Sequence, residues 1–125
     1  MRLELIPQFY MGEDDAVLVA LDLNEIEELA GAMRQAIGDR SPIILRFGQQ
    51  SHVLMAEERG GAIELRDGEV IWHLSSQRME EIASKLEAMK ASPGPCHHYV
   101  DITEPASILI LSRDEYPHPL LSSAR

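Results

Sequence analysis

The sequence predicts an α+β fold: a single domain with a mostly antiparallel sheet of about six to eight strands, made of a meander and a C-terminal hairpin, with two amphipathic helices packed on one face. Three observations carry this expectation. Short apolar or alternating runs recur between turn residues, the signature of strands. Two longer stretches, following Asp22 and Ser75, repeat apolar residues at helical spacing. The turns between strands are short, which favours antiparallel neighbours. At 125 residues the chain has the size of one domain, 1–125.

Taken in order, Arg2–Ile6 alternates polar and apolar residues and Pro7 stops it, which predicts a short edge strand. Pro7–Asp15 reads as a loop. Ala16–Leu21 is a continuous apolar run of strand length, as expected of a strand buried on both faces. Asp22 or Asn24 then opens a helix, and Asp22 with Glu25 resembles a capping box. Ile26, Leu29, Ala30, Met33 and Ile37 form its apolar stripe, and Gly38 is placed to end it.

Ile43–Phe47 and His52–Glu57 are strands around a turn at Gly48–Gln50. Ala62–Arg66 and Glu69–Leu74 flank Asp67-Gly68, a strong two-residue hairpin signal. That loop sets Leu65 opposite Val70 and Ile63 opposite Trp72, with all four on one face. Ser75 or Ser76 caps the second helix, whose stripe is Met79, Ile82, Ala83, Leu86 and Met89. Ser92-Pro93-Gly94-Pro95 cannot continue it. A hairpin follows, from Cys96 to Ser112 with Thr103-Glu104-Pro105 at its tip. Two prolines and a Ser/Ala end make 113–125 a surface tail. No internal repeat is visible in the sequence.

The formal net charge is −10. Residues 1–30 hold eight acids (Glu4, Glu13, Asp14, Asp15, Asp22, Glu25, Glu27, Glu28) against one base, Arg2. Such a field repels nucleic acid and anionic lipid, and it suits a basic protein partner. The single cysteine cannot form an internal disulfide, which fits a reducing, cytoplasmic setting. The first residues carry no apolar run of signal-peptide length, and no apolar stretch approaches membrane-spanning length.

Cys96, His97, His98 and Asp101 are the densest group of chemically versatile side chains. Alternation along a strand separates them: Cys96 and His98 fall on one face, His97, Tyr99 and Asp101 on the other. His97 and Asp101 would stand about 13 Å apart along an extended strand, too far to share an ion. Cys96 and His98 need further ligands, for which His52 and His73 are the candidates, and this metal- or thiol-dependent enzyme is the alternative reading. Phosphate-loop, dinucleotide and hydrolase motifs are lacking, so no cofactor is implied. The leading expectation is a non-enzymatic, acidic protein-binding module that masks a basic partner, as an inhibitor or immunity-type protein does. Its expected surface is His97, Tyr99 and Asp101, extended by Glu13, Asp14, Asp15, Asp114, Glu115 and Tyr116. A homodimer closed by pairing of strand edges is the third reading.

Overall fold

The computed structural model describes residues 1–10, 14–39 and 41–113, with the side chains of 8–10 and 14 outside that description. The elements in chain order are β1 (Arg2–Tyr10), β2 (Asp14–Leu21), α1 (Leu23–Asp39), β3 (Ile43–Phe47), β4 (Gln50–Ala56), β5 (Gly61–Arg66), β6 (Glu69–Leu74), α2 (Ser76–Ala91), β7 (Cys96–Asp101) and β8 (Ile108–Arg113). The expected α+β class holds, with two helices and eight strands. The strands divide into two sheets of four: sheet A in the order β1-β2-β8-β7, and sheet B in the order β3-β4-β6-β5. Each sheet joins two antiparallel hairpins through one central parallel pair, β2 with β8 and β4 with β6.

The local chemistry explains most element boundaries. Asp22 and Glu25 form the expected capping box: the Glu25 N–H donates to Asp22 Oδ1 at 2.8 Å, and the Asp22 N–H donates to Glu25 Oε1 at 2.9 Å. Ser75 caps α2 by accepting from the Arg78 N–H at 3.1 Å. The Asp67-Gly68 hairpin has the expected register, with Gly68 at φ 74°. The preceding hairpin turns on two residues, Gly48-Gln49, with Gly48 at φ 63° and Phe47 facing Gln50.

Several boundaries differ from expectation. β2 begins at Asp14 instead of Ala16, β4 spans Gln50–Ala56 instead of His52–Glu57, and β8 takes in Arg113, the first residue of the expected tail, whose remainder, 114–125, lies outside the described residues. β1 runs on past Pro7 to Tyr10, with a register shift between Ile6 and Tyr10 that accommodates the proline on an edge strand. α1 passes through Gly38 and ends at Asp39, so Gly38 is a helical residue and not a left-handed cap.

A smaller buried cluster of Ala16, Leu18 and Ile110 lies on the outer face of sheet A, and one main core unites the molecule. It draws Leu3, Val17, Val19, Leu109 and Leu111 from sheet A, Leu54, Ile63, Val70, Trp72 and Leu74 from sheet B, and the buried stripes of both helices. α1 touches β2, β3 and β4, and α2 touches β6 and β7, so each helix spans both sheets. The helices run antiparallel. Arg34 in the second half of α1 meets Glu80 and Glu87 of α2, and Lys90 at the end of α2 meets Glu27 near the start of α1.

The topology is duplicated. β1-β2-α1-β3-β4 and β5-β6-α2-β7-β8 have the same order, and each sheet takes its first hairpin from one half and its last from the other. In the strand–helix units the match runs at a constant step of 53, from Val19 to Trp72 and from Ile26 to Met79. The buried positions Ile26, Leu29, Ala30, Met33 and Ala36 of α1 fall on Met79, Ile82, Ala83, Leu86 and Met89 of α2. The side chains have diverged enough to hide this repeat in the sequence, while the burial pattern retains it.

Candidate functional site

Strand β7 lies at the edge of sheet A, with His97, Tyr99 and Asp101 exposed on its outer face and Val100 buried on its inner one. The expected alternation is therefore present. The His97 and Tyr99 rings meet edge to face with centroids 5.2 Å apart. Lys85 of α2 donates to the Tyr99 carbonyl oxygen at 2.5 Å and to Glu81 at 2.8 Å, which ties this edge to the helix layer. Across sheet A the outer face reads Glu4, Leu18, Ile110, Tyr99 in one row and Arg2, Ala20, Ser112, His97 in the next. Leu18 and Ile110 are buried.

The other residues of the expected surface do not all join this strip. Asp15 has the alternation parity of the inward-facing Val17, opposite to that of Leu18 on the outer face. Glu13, Asp114, Glu115 and Tyr116, and the side chain of Asp14, lie outside the described residues. Much of the N-terminal acidity is engaged locally: Asp22 and Glu25 cap α1, Glu25 also pairs with the Met1 ammonium, and Glu27 pairs with Lys90.

The four side chains of the metal or thiol reading are dispersed. Cys96 and His98 are half-buried on the inner side of β7. His52 and His73 belong to adjacent strands of sheet B but to opposite faces: His52 is wholly buried, while His73 lies between Glu57 and Glu64 on the outer face. Among the described residues no group of three or more His, Cys, Asp or Glu side chains converges on a common point. His73 instead bridges two carboxylates, Nδ1 to Glu57 at 2.5 Å and Nε2 to Glu64 at 3.0 Å. These two hydrogen bonds, Glu57 first, raise its pKa above the ordinary imidazole value. The bridge links the end of β4 with β6 and β5.

Sheet B repeats the outer-face pattern. One row reads Ile44, Val53, Ile71, Glu64 and the next Arg46, Ser51, Glu69, Arg66. Under the duplication Ile44 occupies the place of Tyr99. Both are exposed on edge strands, Ile44 at 69% and Tyr99 at 45%. Large side chains left in water at matching places on both sheets are surfaces of the type that partners cover.

A polar chain runs under sheet B that the sequence reading did not assemble. The Trp72 indole N–H donates to His52 Nδ1 at 3.1 Å. An indole nitrogen only donates, so Nδ1 is unprotonated and the neutral ring carries its proton on Nε2. That N–H donates to Gln50 Oε1 at 2.9 Å. The Phe47 ring packs edge-on against the imidazole, centroids 5.6 Å apart. Burial, with a smaller push from the Met1 ammonium, lowers the His52 pKa to about 4. The available signal was parity: His52 alternates in step with Leu54, an inward-facing residue. Gln50, Gln49, Gly48 and Phe47 line one wall of an open cleft of about 550 Å³, and Met1–Glu4 line the other.

No protein-family model, no curated protein and no solved structure matches this chain.

Proposed function

We propose that the chain is a non-enzymatic protein-binding module whose net negative charge suits a basic partner, in the manner of an inhibitor or immunity-type protein. The observation that carries this reading is the exposed His97–Tyr99–Asp101 row on the outer face of β7. The row combines an aromatic anchor with a charged and a titratable neighbour, the mixture that interfaces favour. Its backbone is held by Lys85, so little ordering cost would fall on binding. The −10 charge would speed encounter with a basic protein and make the on-rate salt-sensitive. The metal or thiol reading has less support, because Cys96, His98, His52 and His73 do not share a site.

The test is capture of a partner by the immobilised full chain at low and moderate salt, beside Tyr99→Ala and Asp101→Lys variants. The expected result is one basic protein, retained at low salt, weakened at moderate salt and lost with either variant. No specific partner at either salt, or equal retention by the variants, would sink the proposal. Ile44 favours a second reading, self-association through the edge of β3, because it is the most exposed large apolar side chain among the described residues. Light scattering of the wild type and of Ile44→Glu distinguishes it: a dimer that becomes monomeric supports edge pairing.

A further inference from the structure

The duplication places two equivalent seams between the sheets, and they are filled differently. At the first seam the β7–β8 connection lies against the start of β5. The Thr103 N–H donates to the Gly61 carbonyl at 2.9 Å, and the Ile63 N–H donates to the Glu104 carbonyl at 2.8 Å. Two residues of extended chain thus continue sheet B beyond its edge, with a parallel bridge between Ala62 and Glu104. At the second seam the equivalents are the start of β1 and the β3–β4 turn. Leu3 stands in the place of Ile63, because Leu3 faces Val19 as Ile63 faces Trp72. Met1 accordingly stands in the place of Gly61.

The connection at the second seam is shorter. Between Ile102 and Ser107 lie four residues, whereas between Phe47 and Gln50 lie only Gly48 and Gln49. The shorter turn does not reach across. Among the described residues no backbone hydrogen bond joins Met1–Leu3 to Gly48 or Gln49, and the cleft of about 550 Å³ opens between them. Backbone groups alternate sides along a strand, so a residue matched to Ile63 in register and facing directs its N–H away from its hairpin partner. The Leu3 N–H and the Met1 carbonyl therefore face the cleft.

The buried polar chain supplies a third group there. Trp72 fixes the His52 tautomer, and His52 holds the Gln50 carbonyl oxygen. This leaves the Gln50 NH₂ as the free end of the side chain, with no hydrogen-bond partner among the described residues, on a residue that lines the cleft. A donor whose orientation is set from behind costs little to organise when a ligand arrives.

We propose that this cleft is a docking site for an extended peptide. Its main chain would pair with the Leu3 N–H and the Met1 carbonyl as Thr103–Glu104 pairs with Ile63 and Gly61, and one of its carbonyls would accept from the Gln50 amide. Recognition is of main chain, by addition of a short strand at an open edge. The site lies at the seam opposite the one that β7 borders, and it stands whether or not the outer face of β7 binds a partner.

The probe is the acetylated and amidated peptide Ile-Thr-Glu-Pro-Ala-Ser, the sequence of residues 102–107 that fills the equivalent seam. It is titrated into the ¹⁵N-labelled full chain. Saturable shifts are expected at the amides of Leu3, Gly48 and Gln49, at the Gln50 side-chain NH₂ and, through His52, at the Trp72 indole N–H. Gln50→Glu keeps an acceptor for His52 but presents no donor to the cleft, so it should weaken binding about tenfold while the spectrum stays that of a folded protein. Three results would overturn the proposal: no saturable shift, shifts confined to residues outside the cleft, or unchanged affinity in Gln50→Glu. Acetate reproducing the pattern where the peptide does not would assign the cleft to a free carboxylate and overturn it equally.

Discussion

His52 and Leu109 occupy equivalent places in the two halves, each wholly buried and each on the strand next to the edge strand of its sheet. Leucine fills the place with no polar demand, whereas histidine needs partners on both nitrogens, and Trp72 and Gln50 provide them. The neutral ring is favoured in the fold, so stability from this site is complete above the ordinary pKa of 6.5 and is lost as pH falls through about 4. That span corresponds to roughly 3 kcal/mol. In His52→Leu the Trp72 N–H loses its acceptor, which costs about 1–3 kcal/mol at neutral pH. Urea unfolding of the two proteins from pH 7.5 to pH 4 should therefore show the variant less stable at the upper end, with the gap closing or reversing at the lower end. A gap independent of pH would mean that His52 does not change protonation between the folded and unfolded states. None of this was legible from composition. The alternation of His52 with Leu54 announced an inward histidine, but its donor Trp72 lies on a strand that pairs with β4 in parallel, and no local pattern reports such a pairing.

At the level of elements, side-chain periodicity and cap chemistry carried most of the information. Both helices start where Asp22 and Ser75 place them, and the Asp67-Gly68 turn sets the register of β5 against β6. The errors fall where tertiary contacts override local preference. Pro7 reads as a stop because proline lacks an N–H, yet on the edge strand β1 no acceptor requires that missing donor. Gly38 reads as a helix end, although a glycine can continue a helix at a cost of about 1 kcal/mol when its neighbours are packed, as Ala36 is. The caps, by contrast, should behave as local terms. Asp22→Ala and Ser75→Ala are each expected to cost about 1 kcal/mol, seen as a lower urea midpoint with an unchanged slope. Because the two caps share no partner, the double variant should lose the sum of the single losses. Marked non-additivity would show that the caps act through a common element instead of through their own helices.

The whole molecule is organised by an exchange of hairpins that no local pattern could reveal. Each half contributes one hairpin to each sheet, so β2 finds its central neighbour in β8 and β4 finds its own in β6. The candidate surface was legible to the extent that alternation placed His97, Tyr99 and Asp101 together. Its counterpart at Ile44 and the unfilled seam were not, because both emerge only once the two halves are set side by side. The exchange also fixes how the protein should unfold. Removing either half strips a central strand from both sheets and one helix from the antiparallel pair, and it opens the main core that both halves share. Neither half retains a closed hydrophobic unit, and at this size a domain with one core ordinarily unfolds as a unit. Trp72, the only tryptophan, reports on sheet B through its fluorescence, while far-UV circular dichroism reports on both helices and both sheets. The two denaturation curves should superimpose, with one midpoint and one slope. A Trp72 transition displaced from the dichroism transition would mean that sheet B melts apart from the rest, which a core shared across both halves does not allow.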